Sequence, residues 1–179
     1  MSWNKITIAK LQEISELDDS FNDIEKTAHI VSIIDEVPIE EVMQWLLDDL
    51  KKRDMSFLKE IPQTRLKFKF KHKGRRFRLV KTAKEMKAHH FIELQELNKK
   101  GTIESLHEVV ACLSYRVNIF GKKIEDDYEW KVEHFKSLPF TAFYNYALFF
   151  SQLYPKLLTA TQIYLMEKAK EIKAMRLDG

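Results

Sequence analysis

Glycine and proline are scarce in this chain of 179 residues, four of each, against ordinary usage of about 7% and about 5%. Few tight turns are therefore available, long elements are expected, and a glycine-cradled phosphate loop is excluded. Cysteine is scarcer still. Cys112 stands alone, which rules out an intrachain disulfide and a closed thiolate metal site, and fits folding in a reducing compartment such as the cytosol. No apolar run follows Met1-Ser2-Trp3-Asn4-Lys5, so a secretory signal is not expected. The most lipid-like stretch, 139–154, carries Asn145 and Gln152 and falls short of the roughly 20 apolar residues a spanning helix needs. It reads as a buried core helix.

What the chain does have is core material and an uneven distribution of charge. Hydrophobic residues make up 45% and aromatics 12%, enough to fill a single-domain core and to exclude global disorder. The 30 basic and 27 acidic residues are segregated. Between Arg65 and Lys87 stand 11 basic residues and one acid, Glu85, a net charge of +10. The other 19 basic and 26 acidic residues leave the body at −7.

Within that basic stretch, lysines alternate with Leu66, Phe68 and Phe70. A period of two places aromatics on one face and cations on the other, the pattern of a half-buried strand. His72-Lys73-Gly74-Arg75 supplies a turn in which glycine can take a positive φ, and Arg76–Val80 returns as a second strand. The pattern predicts a β-hairpin over about residues 65–80. Its candidate partner-binding residues are Arg65, Lys67, Lys69, Lys71, Lys73, Arg75, Arg76 and Arg78. Such a ribbon can dock on an acidic protein surface, track nucleic-acid phosphates, or serve as an edge whose lysines block sheet-to-sheet aggregation. Eleven basic residues in 23 exceed what edge protection requires, while Phe68, Phe70 and Phe77 are better suited to anchoring the ribbon than to stacking bases.

The rest of the chain predicts helices. In 1–53, Thr7 caps a first helix with Ile8, Leu11, Ile14 and Leu17 on one face, and Ser20 or Asn22 caps a second. Pro38 opens a third, which runs through Trp45 and Leu46 to Lys51-Lys52-Arg53. A connector over 54–63 carries a short turn at Ser56–Glu60. After the hairpin segment, 64–81, come the helical core, 82–154, and a C-terminal helix, 156–177. In that core Thr82 and Glu85 form a capping box, Gly101 ends one helix and Thr102 caps the next. Val117, Ile119 and Gly121 fit a short strand or an extended loop, and Asp126 or Asp127 caps a further helix. The expectation is a mainly α, multi-helix single domain, 1–179, with one basic hairpin.

Chemistry-bearing residues do not assemble into a motif. His89-His90 and His107 with Glu93, Glu96 and Glu104 look like metal ligands, and His89 and Glu93 have the i, i+4 spacing of two on a helix, but there is no His-Glu-x-x-His. His134 with Glu133, Asp126 and Asp127 lacks a nucleophile or an oxyanion donor. Cys112 lies beside Val109 and Leu113 on an apolar face and reads as an inert, buried thiol. No catalytic residue, cofactor or metal is expected. An enzyme would need a pocket where His89, His107 or His134 converges with carboxylates.

The segments Lys5–Ile14, His29–Ile34, Glu40-Glu41-Val42, Phe77-Arg78-Leu79, Phe91–Leu97 and Ser105–Leu113 resemble small structural-block proteins of tailed bacteriophages infecting Bacteroides-type gut bacteria, over most of residues 5–150. The resemblance implies a tail-assembly chaperone or a neck, ring or cargo component of the virion. It implies a protein made in the host cytoplasm, acting through contacts with other phage structural proteins or with copies of itself, as a homo-oligomer, and carries no catalytic site. A nucleic-acid-binding accessory protein using the same hairpin is the alternative.

Overall fold

A computed structural model describes residues 2–53, 55–62, 64–82, 85–100 and 103–150. The expected helix after Pro155, the Gly101 stop and the Thr102 cap lie outside the described residues. No helix among those described is long and apolar enough to cross a membrane.

The architecture is mainly α with a small antiparallel sheet. A 3-10 turn, Trp3–Lys5, precedes α1 (Ile8–Ser15) and α2 (Asp23–Asp35). Thr7 caps α1 by accepting from the Lys10 N–H, at 3.2 Å. At α2 the cap is Asn22, whose side chain accepts from Ile24 and Glu25 N–H while Glu25 returns a bond from the Asn22 N–H, a full capping box.

The expected third helix is two. They are α3 (Ile39–Val42) and α4 (Leu47–Lys51), separated by an extended Leu46 that is 73% exposed. A continuous helix would hold Asp48 and Asp49 in its interior. Starting again at Leu47 puts both at a positive helix end, where the dipole favours them. Val42 and Leu50 still reach one small core with Ala28 and Val31. A second 3-10 turn, Ser56–Lys59, follows where the connector was expected to turn.

The hairpin forms from β1 (Lys69–His72) and β2 (Arg75–Leu79), and β3 (Ser114–Val117) pairs with β2 to complete the order β1-β2-β3. Lys73 (φ 43°) and Gly74 (φ 78°) form the turn, the two positive values a type I′ hairpin requires. Strand β1 is shorter than expected. Leu66 lies before it and is 42% exposed rather than on the inward face.

Helix α5 (Ala88–Lys100) starts later than the Thr82–Glu85 signal implied. Glu85 Oε2 accepts from the Lys81 N–H instead, and His90 Nδ1 accepts from the Lys87 N–H, so His90 closes the first turn of α5. After α6 (Leu106–Cys112) and β3 comes α7 (Tyr128–Lys136), capped by Asp127 rather than Asp126. Residues 140–150 form α8.

The main core lies between the sheet, α6, α7 and α8. Phe77, Leu79, Val110, Phe135, Phe143 and Tyr146 are almost wholly buried there. Phe70 stacks on Phe77 at 5.3 Å, and Phe68 meets Phe149 edge-on at 5.3 Å. Tyr146 Oη donates to the Val80 carbonyl, 2.7 Å, tying α8 to the end of β2. The N-terminal segment is clasped to the same place. Ile8 donates to Leu138 O and Phe140 to Ile6 O on either side of a Thr7–Pro139 bridge.

Candidate docking surface and adjoining pocket

Antiparallel partners share a face. Register therefore decides where the hairpin's cations go: Lys69 stands opposite Arg78 and Lys71 opposite Arg76. All four side chains share the face turned from the main core, Lys69, Lys71 and Arg76 exposed and Arg78 half-buried, and β3 adds the half-buried Tyr115 and the buried Val117 to it. An isolated bridge from Val117 to Lys123 brings one more cation, whose Nζ lies 5.6 Å from the Tyr115 ring centre. Among the described residues no carboxylate forms an ion pair with any of these five cations. Like charges directly opposite each other in a sheet are destabilising, each pair by a few tenths to about 1 kcal/mol, so the isolated fold bears a cost at this surface.

The remaining hairpin residues go elsewhere. Arg65 and Lys67, before β1, line an open groove of about 810 Å³ together with Lys69 and Lys71. Asn145 on α8 fixes the approach to this segment, its side-chain amide donating to the Thr64 carbonyl and to Thr64 Oγ1. Lys73 occupies the turn. Arg75 belongs to the opposite face, where its guanidinium sits 4.2 Å over the Trp130 ring. Phe68, Phe70 and Phe77 point into the core and offer no ring to a nucleic-acid base. Lys123 and Tyr115 carry no local signal of membership; only the pairing of β3 reveals them.

Beside this face, between β2, β3, α5 and α7, is a pocket of about 620 Å³. It does bring His89, with His90, near Glu85, Glu93 and Asp126, a convergence the sequence alone did not reveal. His107 and His134 are elsewhere: His107 Nδ1 lies 2.9 Å from Gln12 Nε2, and His134 stacks on Trp130 at 4.4 Å. Several of the pocket's groups are engaged within the protein, while the buried Ser114 hydroxyl has no hydrogen-bond partner among the described residues. Lys131 Nζ donates to the Ala111 and Ser114 carbonyls, both at 2.9 Å, and lies 3.7 Å from Asp126 Oδ1. Asp126 in turn accepts from the Arg116 N–H.

Burial pushes the Cys112 thiol up to about 12, and the group donates to the His90 carbonyl. Burial also drives His90 down to about 4, so at neutral pH its imidazole is uncharged, with Nδ1 occupied by the Lys87 N–H. Burial first, then hydrogen bonding to Glu93, holds the Tyr128 phenol protonated well above its usual range. A protonated thiol, a neutral imidazole with one nitrogen committed and a lysine Nζ held by two carbonyls, its pKa lowered by burial, line this part of the pocket. Among the described residues, no group of three or more His, Cys, Asp or Glu is placed to hold a metal ion.

No family model matches this chain, and neither do curated proteins or solved structures.

Proposed function

We propose that this protein acts by docking, without catalysis, as a structural or assembly component of a bacteriophage particle. The observation that carries the docking reading is this face of the sheet, where Lys69, Lys71, Arg76, Arg78 and Lys123 lie together with no carboxylate ion-paired to them among the described residues. Arg78 and Lys123 also border the pocket that holds Glu85, Glu93 and Asp126, whereas Lys69, Lys71 and Arg76 lie outside it, and a cationic cluster of this kind favours association with an acidic surface and sets its register. A second copy has candidate acids. Asp18, Asp19, Asp48 and Asp49 are all exposed; Asp19 and Asp49 pair with Lys26 and Lys52, and Asp18 accepts from the Ser20 N–H. The resemblance over most of residues 5–150 supports the phage setting, in which the partners are other structural proteins or copies of itself.

The test is a salt titration of self-association and of duplex-DNA binding on the same preparation. Mass photometry is expected to show a defined oligomer at about 50 mM salt that dissociates as screening increases. Charge reversal at Lys71→Glu with Arg76→Glu should abolish it. Monomer at all salt concentrations, together with DNA binding whose log–log salt slope reports several phosphate contacts, would transfer the surface to nucleic acid and end the docking reading.

A further inference from the structure

The two edges of the sheet are treated differently. Beyond β3 the chain folds back on itself: Asn118 donates to the Lys122 carbonyl and Ile124 to that of Arg116, so that edge is covered. The other edge is β1, whose only neighbour among the described strands is β2.

Its register fixes which groups are left open. Leu79 N–H donates to the Phe68 carbonyl, so in the alternation of an antiparallel ladder Phe68, Phe70 and His72 direct their backbone groups at β2. Lys69 and Lys71 direct theirs outward, and among the described residues no backbone bond meets them. The groove along this edge is bounded on its far side by Asn4, Pro139, Thr141 and Ala142.

We infer that this edge accepts an extended acidic segment of a partner protein as a fourth strand. The inference deepens the docking reading above and rests on it. Main-chain bonds to Lys69 and Lys71 would supply register. Because side chains alternate along a strand, every second residue of the guest lies over the cationic face of Lys69 and Lys71, where Asp or Glu is favoured. The residues between turn toward Pro139 and Ala142, where small apolar side chains fit. The same lysines repel a second copy of β1, so the edge rejects its own kind while recruiting an acidic strand. From Lys67 to Lys71 the edge extends about 13 Å, which suits a guest of four to six residues.

The experiment uses the full chain and a fluorophore-labelled seven-residue peptide of alternating Glu and Val, read by anisotropy at about 50 mM salt. Two further peptides are N-methylated, one at every Glu and one at every Val. In an added strand only one alternate set of N–H groups faces β1. Methylation of one set is therefore expected to weaken binding at least tenfold, while methylation of the other leaves it within about twofold. Lys69→Gln with Lys71→Gln, verified as folded by circular dichroism, should weaken the unmethylated peptide as well. Equal binding of all three peptides overturns strand addition and leaves charge-driven docking standing. Binding of none of them, with duplex DNA bound instead, overturns both.

Discussion

Lys131 is a buried cation whose removal the structure makes costly. It is 7% exposed, its ammonium is held by two carbonyls at the junction of α6 and β3, and Asp126 stands 3.7 Å away. Burial lowers its pKa and Asp126 works against that shift, the balance expected of a buried pair whose attraction offsets part of its desolvation. At an effective dielectric near 20, two unit charges at this separation attract by about 4 kcal/mol gross. Replacing Lys131 by Met keeps most of the stem volume but takes the counter-charge from Asp126, which retains the Arg116 N–H, and a donor from two carbonyl groups. Breaking a buried pair from one side costs about 3–5 kcal/mol, a large fraction of the total stability of a domain this size. Urea denaturation followed by circular dichroism measures the loss directly, and at about 1–3 kcal/mol per molar the midpoint should fall by 1 M or more. The double variant Lys131→Met/Asp126→Asn removes the stranded charge, so its loss should be smaller than the sum of the singles by at least about 1 kcal/mol. A single-variant loss under about 1 kcal/mol, or strict additivity, would refute the account of a coupled buried pair.

Two other predictions follow from buried or strained positions. His72, His90, His107 and His134 are all held below the usual imidazole range, chiefly by burial. Below about pH 6.5 the unfolded chain binds more protons than the native one, so stability should fall as pH drops from 6.5 toward 4, where His90 titrates. The urea midpoint should track that window, and a flat profile between pH 7 and 4.5 would contradict it. Gly121 has φ 78° and a Cβ there would stand 3.2 Å from Arg78 Nη2. Gly121→Ala should cost about 1 kcal/mol or more through its backbone and displace the Arg78 guanidinium, read as a lowered melting temperature together with altered docking.

How much of this was legible from residues alone differs from element to element. Thr7, the Asn22 region, the 3-10 turn at Ser56 and the Lys73-Gly74 turn were readable because caps and tight turns are made by residues within three or four positions of one another. The break between α3 and α4 was not, since Val42, Trp45, Leu46 and Leu50 also fit one continuous stripe. It was decided by where Val42 and Leu50 meet Ala28 and Val31. The Thr82–Glu85 signal had the right residues in the wrong role, because Glu85 bonds the Lys81 amide and His90 closes α5.

For the candidate site the division falls between composition and register. Composition alone determined that the chain is mainly helical, without a disulfide, and carries a concentrated cationic ribbon, because those properties depend on residue counts and short-range period. Only tertiary structure decided which cations act together. Pairing with β3 brought in Tyr115 and Lys123, some 40 residues along the chain, and Trp130 drew Arg75 to the other face. It also closed one edge of the sheet while leaving that of β1 open. Strand order and register are set by contacts between distant segments, and no local pattern in residues 65–80 encodes them.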